Sequence, residues 1–248
     1  MCDSCGCGTP GAASADETIA ARENLLAAND RVAAHVRSHF DARGVLTVNL
    51  MSSPGAGKTS LLEATIGALP PHIRVAVIEG DLETENDAER IRRRGVKAVQ
   101  ITTGVACHLD ATMVRDALDQ LPLDDVDLLF IENVGNLVCP ADFDIGQHRD
   151  VVLLSVVEGD DKPEKYPVMF RNADLVLIAK TDLLPHIDDF DPARVRGAVA
   201  RLGGGERVKE LSAKTKRGLD GWIDWLVAEL AAHRRLHPGA RRRDHAAA

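Results

Sequence analysis

The stretch VLTVNLMSSPGAGKTS, residues 45–60, decides the fold. It opens with an apolar run of the kind that forms a strand covered on both faces. A glycine-rich turn follows, in which Gly57-Lys58-Thr59 complete the phosphate-loop pattern Gly, four residues, Gly-Lys-Ser/Thr, with Ser52 in place of the first Gly. Gly55 and Gly57 permit positive φ, so successive N–H groups of Gly55, Ala56 and Gly57 can point inward at phosphate oxygens. A helix beginning at Lys58-Thr59-Ser60 adds its positive N-terminal end. In such a loop the Lys neutralises β and γ phosphates and the Thr hydroxyl meets Mg2+.

Outward from this turn, apolar runs alternate with helical segments. The runs are 45–51, 73–79, 96–102, 126–132, 151–158, 174–180 and 207–213, and helices are expected near 58–69, 83–94, 110–120, 191–202 and 218–232. Such βαβ alternation predicts an α/β P-loop NTPase fold: a mostly parallel sheet with helices on both faces. Residues 1–15 are small and polar and read as a flexible tail, and 16–44 as a helix carrying Ile19, Leu25, Leu26, Val32, Val36 and Phe40 at helical spacing. The nucleotide domain is set at 45–232, with a basic tail, 233–248, after it.

The chain has 248 residues, 30 Lys+Arg against 38 Asp+Glu, and a net charge of −8. That balance, with 3 % aromatics, argues against nucleic acid as a partner. No apolar run is long enough to span a membrane. Five cysteines, an odd number without an export signal, predict a reducing cytoplasm.

Three further groups of residues carry chemistry. Glu79-Gly80-Asp81 and Phe130-Ile131-Glu132-Asn133-Val134-Gly135 each end a strand. Asp81 and Glu132 stand where acids approach Mg2+ or the attacking water, although strand-end acids also serve as plain turn residues. Gly135 can let a backbone N–H swing toward a γ-phosphate and away after hydrolysis. Ala179-Lys180-Thr181-Asp182 resembles the Asn-Lys-x-Asp signature of GTPases, with Ala179 in place of the Asn that ties this loop to the phosphate loop. Ser212-Ala213-Lys214 resembles the GTPase Ser-Ala-Lys loop. An Asp carboxylate here accepts from guanine N1–H and the 2-amino group, donors that adenine lacks, so the pair predicts GTP and GDP over ATP. Cys107-His108 and Cys139 offer thiolates and an imidazole suited to Zn2+ or Ni2+. A buried Cys and a capping His are the competing reading. Cys2, Cys5 and Cys7 form a second thiol cluster, whose chelate with the chain amine suits square-planar Ni2+; a redox or adventitious site is the alternative.

Together CxxCGCG, NLMSSPGAGKTSLLE, VIEGDLET, the Ala-Cys-His turn, FIENVGNLVCPADFDIG, EGDDKPEKYP and KTDLLP are similar to the hydrogenase nickel-incorporation GTPase family, HypB. The resemblance covers most of the chain. It implies a SIMIBI-class G domain that forms a GTP-promoted homodimer, and a labile Ni2+/Zn2+ site at the dimer interface carried by Cys107, His108 and Cys139. It implies a tighter nickel site at Cys2, Cys5 and Cys7. It also implies delivery of nickel to the [NiFe]-hydrogenase large subunit together with an accessory metal protein. Lys162 and Lys165 either reach nucleotide across the dimer or are solvated surface lysines. Rival readings are a urease-type nickel GTPase, a metal buffer with a degenerate nucleotide site, and an ATP-driven kinase.

Overall fold

The computed structural model describes residues 15–81, 86–104, 106–203, 205–238 and 240, with side chains from residue 19. Cys2, Cys5 and Cys7 lie outside them.

Seven strands form one sheet in the order β3-β2-β4-β1-β5-β6-β7, every neighbouring pair parallel. They are β1 (Leu46–Ser52), β2 (Val75–Asp81), β3 (Lys97–Thr102), β4 (Leu128–Glu132), β5 (Arg149–Ser155), β6 (Leu175–Ala179) and β7 (Val208–Glu210). All seven expected strands are present, and the α/β P-loop NTPase architecture is as expected. The central strands are buried along their whole length because both faces are covered. On one face α2 (Lys58–Ile66), α3 (Asn86–Arg92) and α8 (Leu219–Leu236) pack through Leu61, Leu62, Ile91, Trp222 and Leu226 onto Val48, Leu50, Phe130 and Leu153. On the other face α1 (Ala15–Arg43) and α4 (Ala111–Leu118) bring Val36, Phe40 and Val114 onto Ile78, Leu129 and Ile131. There α6 (Pro167–Asn172) and α7 (Pro192–Arg201) bring Phe170, Val195 and Val199 onto Val152, Leu154 and Ile178.

Three details go beyond the sequence reading. The run 151–158 is not all strand: Ser155 and Glu158 form a capping box that turns Val156–Glu158 into a 3-10 turn. Lys162 and Lys165 lie in a one-turn helix, α5 (Lys162–Lys165), where Lys165 pairs with Asp161 at 2.5 Å and Lys162 sits over the Tyr166 ring. Helix α8 runs past residue 232 to Leu236, because His233 is buried and Arg234 pairs with buried Asp127.

Strand order reverses about β1, which sets a crevice beyond the carboxyl ends of the strands. The turns after β1, β3, β4 and β6 open there.

Candidate functional site

The turn after β1 has Gly55 at φ +72° and Gly57 at φ +108°, values that favour glycine. Helix α2 therefore starts at Lys58 with its first N–H groups facing the crevice. Lys58 is buried, with its ammonium 3.1 Å from Ser52 Oγ and 4.0 Å from Glu132 Oε1. Ser52, the departure from the phosphate-loop pattern, thus supplies a resting partner for the lysine. Thr59 Oγ1 donates to Glu132 Oε1 at 3.0 Å.

These groups border a cavity of about 430 Å3 with Pro54, Ser60, Asp81, Gly135 and Lys180. Glu79 and Glu132 meet inside it as a buried, hydrogen-bonded pair. Burial, then the neighbouring Glu132 charge, pushes the Glu79 carboxyl up to about 11. Burial also raises Glu132, while Lys58 opposes that rise. Glu79 Oε1 and Glu132 Oε2 are buried without a hydrogen-bond partner among the described residues. Two orphaned carboxylate oxygens beside a Thr hydroxyl form a donor set that fits a hard divalent cation.

Gly135 is required by close approach: a Cβ there would stand 2.8 Å from Pro54 Cα and 2.9 Å from Pro54 N. The turn after β4 therefore lies against the phosphate loop.

A second cavity, of about 220 Å3, shares Gly57, Ser60 and Lys180 with the first. It is lined by Ala56, Ala179, Asp182, Ser212, Ala213 and Lys214, so both GTPase-like motifs meet at one pocket. Ser212 donates to Asp182 Oδ1 at 2.6 Å and holds its carboxyl below the usual range. Lys180, at φ +59°, donates to the Gly55 carbonyl at 2.6 Å. The tie expected to be missing with Ala179 in place of Asn is made instead by the neighbouring lysine.

The turn after β3 carries Cys107 and His108, and the 3-10 turn Cys139–Asp142 follows β4. The sulfurs of Cys107 and Cys139 are 2.9 Å apart, and His108 Nδ1 is 3.8 Å from Cys107 Sγ. All three ligand atoms lie within 4.8 Å of one another. Burial holds His108 below its ordinary value and hence neutral, with its ring against Phe143 at 4.0 Å. The hydrogen bond with Cys107, then burial, raises the Cys139 thiol. Two sulfur donors and a neutral imidazole suit a soft or borderline ion.

The thiol turn and the turn after β4 are joined. Asn133 Oδ1 accepts from the N–H of Leu109 at 3.1 Å and from its neighbour Val134 at 3.0 Å. Its amide donates to Asn49 Oδ1 at 3.3 Å. Leu109 is fully buried against Gly80, where a Cβ would stand 2.8 Å from its Cδ1.

Residues 46–204 match the CobW/HypB/UreG nucleotide-binding domain. A hydrogenase maturation factor HypB from Azotobacter chroococcum is 50 % identical over 220 residues, 89 % of this chain and 72 % of that protein. The chain belongs to the HypB family. Among solved structures, HypB from Helicobacter pylori in complex with nickel superposes with TM-score 0.79 at 40 % identity, covering 84 % of this chain and 96 % of that one. HypB from Archaeoglobus fulgidus gives TM-score 0.77 at 41 % identity, covering 83 % and 100 %. The HypB-family domain here is thus a P-loop nucleotide-binding domain built for nucleotide hydrolysis in general. Among the described residues no helix is long and apolar enough to cross a membrane.

Sequence reasoning named most of the crevice. It passed over Asn133 as the joint between turns, and Asp87 and Arg90 at the cavity mouth. Arg90 is held by Glu63 and Asp87.

Proposed function

We propose that this protein is a GTP-hydrolysing nickel metallochaperone acting in maturation of [NiFe]-hydrogenase. The observation that carries the reading is the gathering of Cys107, His108 and Cys139 on turns joined to the phosphate-sensing turn through Asn133. Family membership supports the hydrogenase role, since the relatives are hydrogenase maturation factors.

In this reading Gly55, Ala56, Gly57, Lys58, Thr59 and Ser60 cradle the phosphates. Lys180, Asp182, Ser212, Ala213 and Lys214 hold guanine, with the Asp182 carboxylate selecting against adenine. Thr59, Asp81 and Glu132 hold Mg2+, which supplies charge neutralisation at the β and γ phosphates. Lys58 leaves Ser52 for the phosphate oxygens. Gly135 lets its turn close on the γ-phosphate, and the displacement passes through Asn133 and Leu109 to Cys107 and His108. Cys139 moves with the same turn. Nickel is the cargo, and Zn2+ suits the same donors. Three protein donors leave a coordination position for water or for a second copy of the chain, which supports a GTP-promoted homodimer. Exposed Val138 beside Cys139 adds an apolar contact for that copy. Cys2, Cys5 and Cys7 form a separate nickel site. An accessory metal protein and the hydrogenase large subunit are the partners, in the cytoplasm.

The test is replacement of Lys58 by Ala in a host lacking its own relative. Loss of nickel from the hydrogenase large subunit, with the chain still folded and still binding nickel, is expected. Normal hydrogenase nickel content would leave only a metal buffer.

A further inference from the structure

A second group of metal-ligating side chains lies at the opposite end of the sheet. Asp41 is in the last turn of α1, His148 immediately precedes β5, and His233 and His237 lie at the end of α8. Those positions are at the amino ends of the strands, away from the nucleotide crevice and from Cys107 and Cys139. Ligand atoms of Asp41, His148 and His233 lie within 4.8 Å of one another. His237 Nε2 is 3.2 Å from Asp41 Oδ1, and the His233 and His237 rings are 4.6 Å apart. His233 is 6 % exposed, and its Nε2 is buried with no hydrogen-bond partner among the described residues.

The roles of the three histidines differ. A backbone N–H can only donate, and the Thr47 N–H points at His148 Nδ1 at 2.9 Å. Nδ1 of His148 therefore carries the lone pair and Nε2 the proton, which is donated to Asp41 Oδ1 at 3.0 Å. His148 is thus not a ligand but a donor that orients the carboxylate. His233 lies in the last turn of α8 and His237 is the residue that ends it, four positions on, with the two rings close enough to face one ion. With bonds of about 2.0–2.2 Å, two ligand atoms on one ion stand roughly 2.8–3.6 Å apart, which brackets the His237–Asp41 contact.

We propose that Asp41, His233 and His237 bind a divalent transition-metal ion of the zinc class, with His148 fixing the carboxylate. The ion takes neutral imidazole nitrogens and an ionised carboxylate oxygen, and water completes the shell. The carboxyl ends of α1 and α8 converge there, and both helix dipoles favour a cation. Nearby Arg37 and Arg149 are each paired, with Asp144 and Glu229. The ion joins the end of α8 to α1.

The test is titration with Co2+ and Zn2+ of the full chain carrying Ser at positions 2, 5, 7, 107 and 139. One equivalent of Co2+ is expected, with ligand-field bands and no thiolate charge transfer. His237→Ala and Asp41→Ala are each expected to weaken it at least tenfold, and His148→Ala less. In the wild-type chain Zn2+ raises the melting temperature, and His237→Ala lowers the bound zinc by one equivalent. Absence of saturable binding, or binding unchanged by His237→Ala, overturns the proposal. If the serine variant does not fold, the wild-type zinc count decides alone.

Discussion

The N–H of Leu109 donates to Asn133 Oδ1 at 3.1 Å, so the residue after His108 is fastened to the residue after Glu132. One buried amide thus spans the thiol turn and the turn facing the phosphate loop. Leu109 also fills the space beside Gly80, between Glu79 and Asp81. A shift of either acid-bearing strand end therefore moves the backbone that carries Cys107 and His108. Because these contacts are packed and buried, the proposed coupling predicts that small shifts at the γ-phosphate are passed on rather than absorbed locally.

Replacing Asn133 by Ala removes that joint and leaves the Leu109 N–H without its partner. The variant is expected to lose about 1–3 kcal/mol of stability and to bind nickel equally well with GDP and with a non-hydrolysable GTP analogue. Denaturant melts and calorimetric nickel titrations check the two halves separately.

A methyl at residue 135 would press on the Pro54 backbone rather than on a flexible side chain. Gly135→Ala is expected to slow GTP hydrolysis at least about tenfold, the scale of a misplaced group in a positioned site. Far-ultraviolet circular dichroism is expected to stay unchanged. Hydrolysis at the wild-type rate would mean that the turn does not close on the nucleotide.

Asp182 sits in the smaller cavity with its carboxylate held by Ser212. Asp182→Ala is expected to cost GTP about 1–3 kcal/mol of binding, roughly fivefold to 150-fold, while ATP affinity does not fall. Competition between labelled GTP and unlabelled ATP measures this. Wild-type protein in which ATP competes as well as GTP would remove guanine selection.

The Glu79–Glu132 pair predicts a pH dependence of folding. Glu79 titrates near 11 in the folded chain and near 4.5 when unfolded. Between those values the folded state holds one more proton, so stability falls as pH rises, by about 1.4 kcal/mol per unit. The stabilisation is full below 4.5 and is lost as pH passes through 11. Glu79→Gln mimics the protonated acid permanently. Urea midpoints from pH 6 to 9 are expected to fall less in Glu79→Gln than in the wild type. Parallel curves would show that the pair is ionised in the folded chain.

Much of this was legible before any coordinates, for local reasons. The run 126–132 shows its strand because burial on both faces demands continuous apolar residues. The phosphate loop shows itself because its glycines, Lys58 and Thr59 act within one short turn. Ser155 and Glu158 instead cap a turn inside an apolar run, where periodicity is blind. Ile19 and Leu25 sit at helical spacing yet are exposed, whereas Ala33, Val36 and Phe40 reach the core and Val32 packs against it. Asn133 has no spacing signature, since its partners Asn49 and Leu109 come from the middle of β1 and the turn before α4. The Asp41, His148, His233 group combines α1, the start of β5 and α8; only the short separation of His233 and His237 was visible in the chain. Lys180 took over the tie expected of an Asn at position 179 because its φ of +59° aims the side chain at Gly55.

The most direct measurement is calorimetric nickel affinity, with stopped-flow release, at the Cys107–His108–Cys139 site of the chain lacking residues 1–7. It is made once with GDP and once with a non-hydrolysable GTP analogue, Mg2+ present in both. A difference of at least about tenfold, 1.4 kcal/mol of coupling between the two sites, is the expected result. Equal affinities and equal release rates would contradict the link between nucleotide and metal.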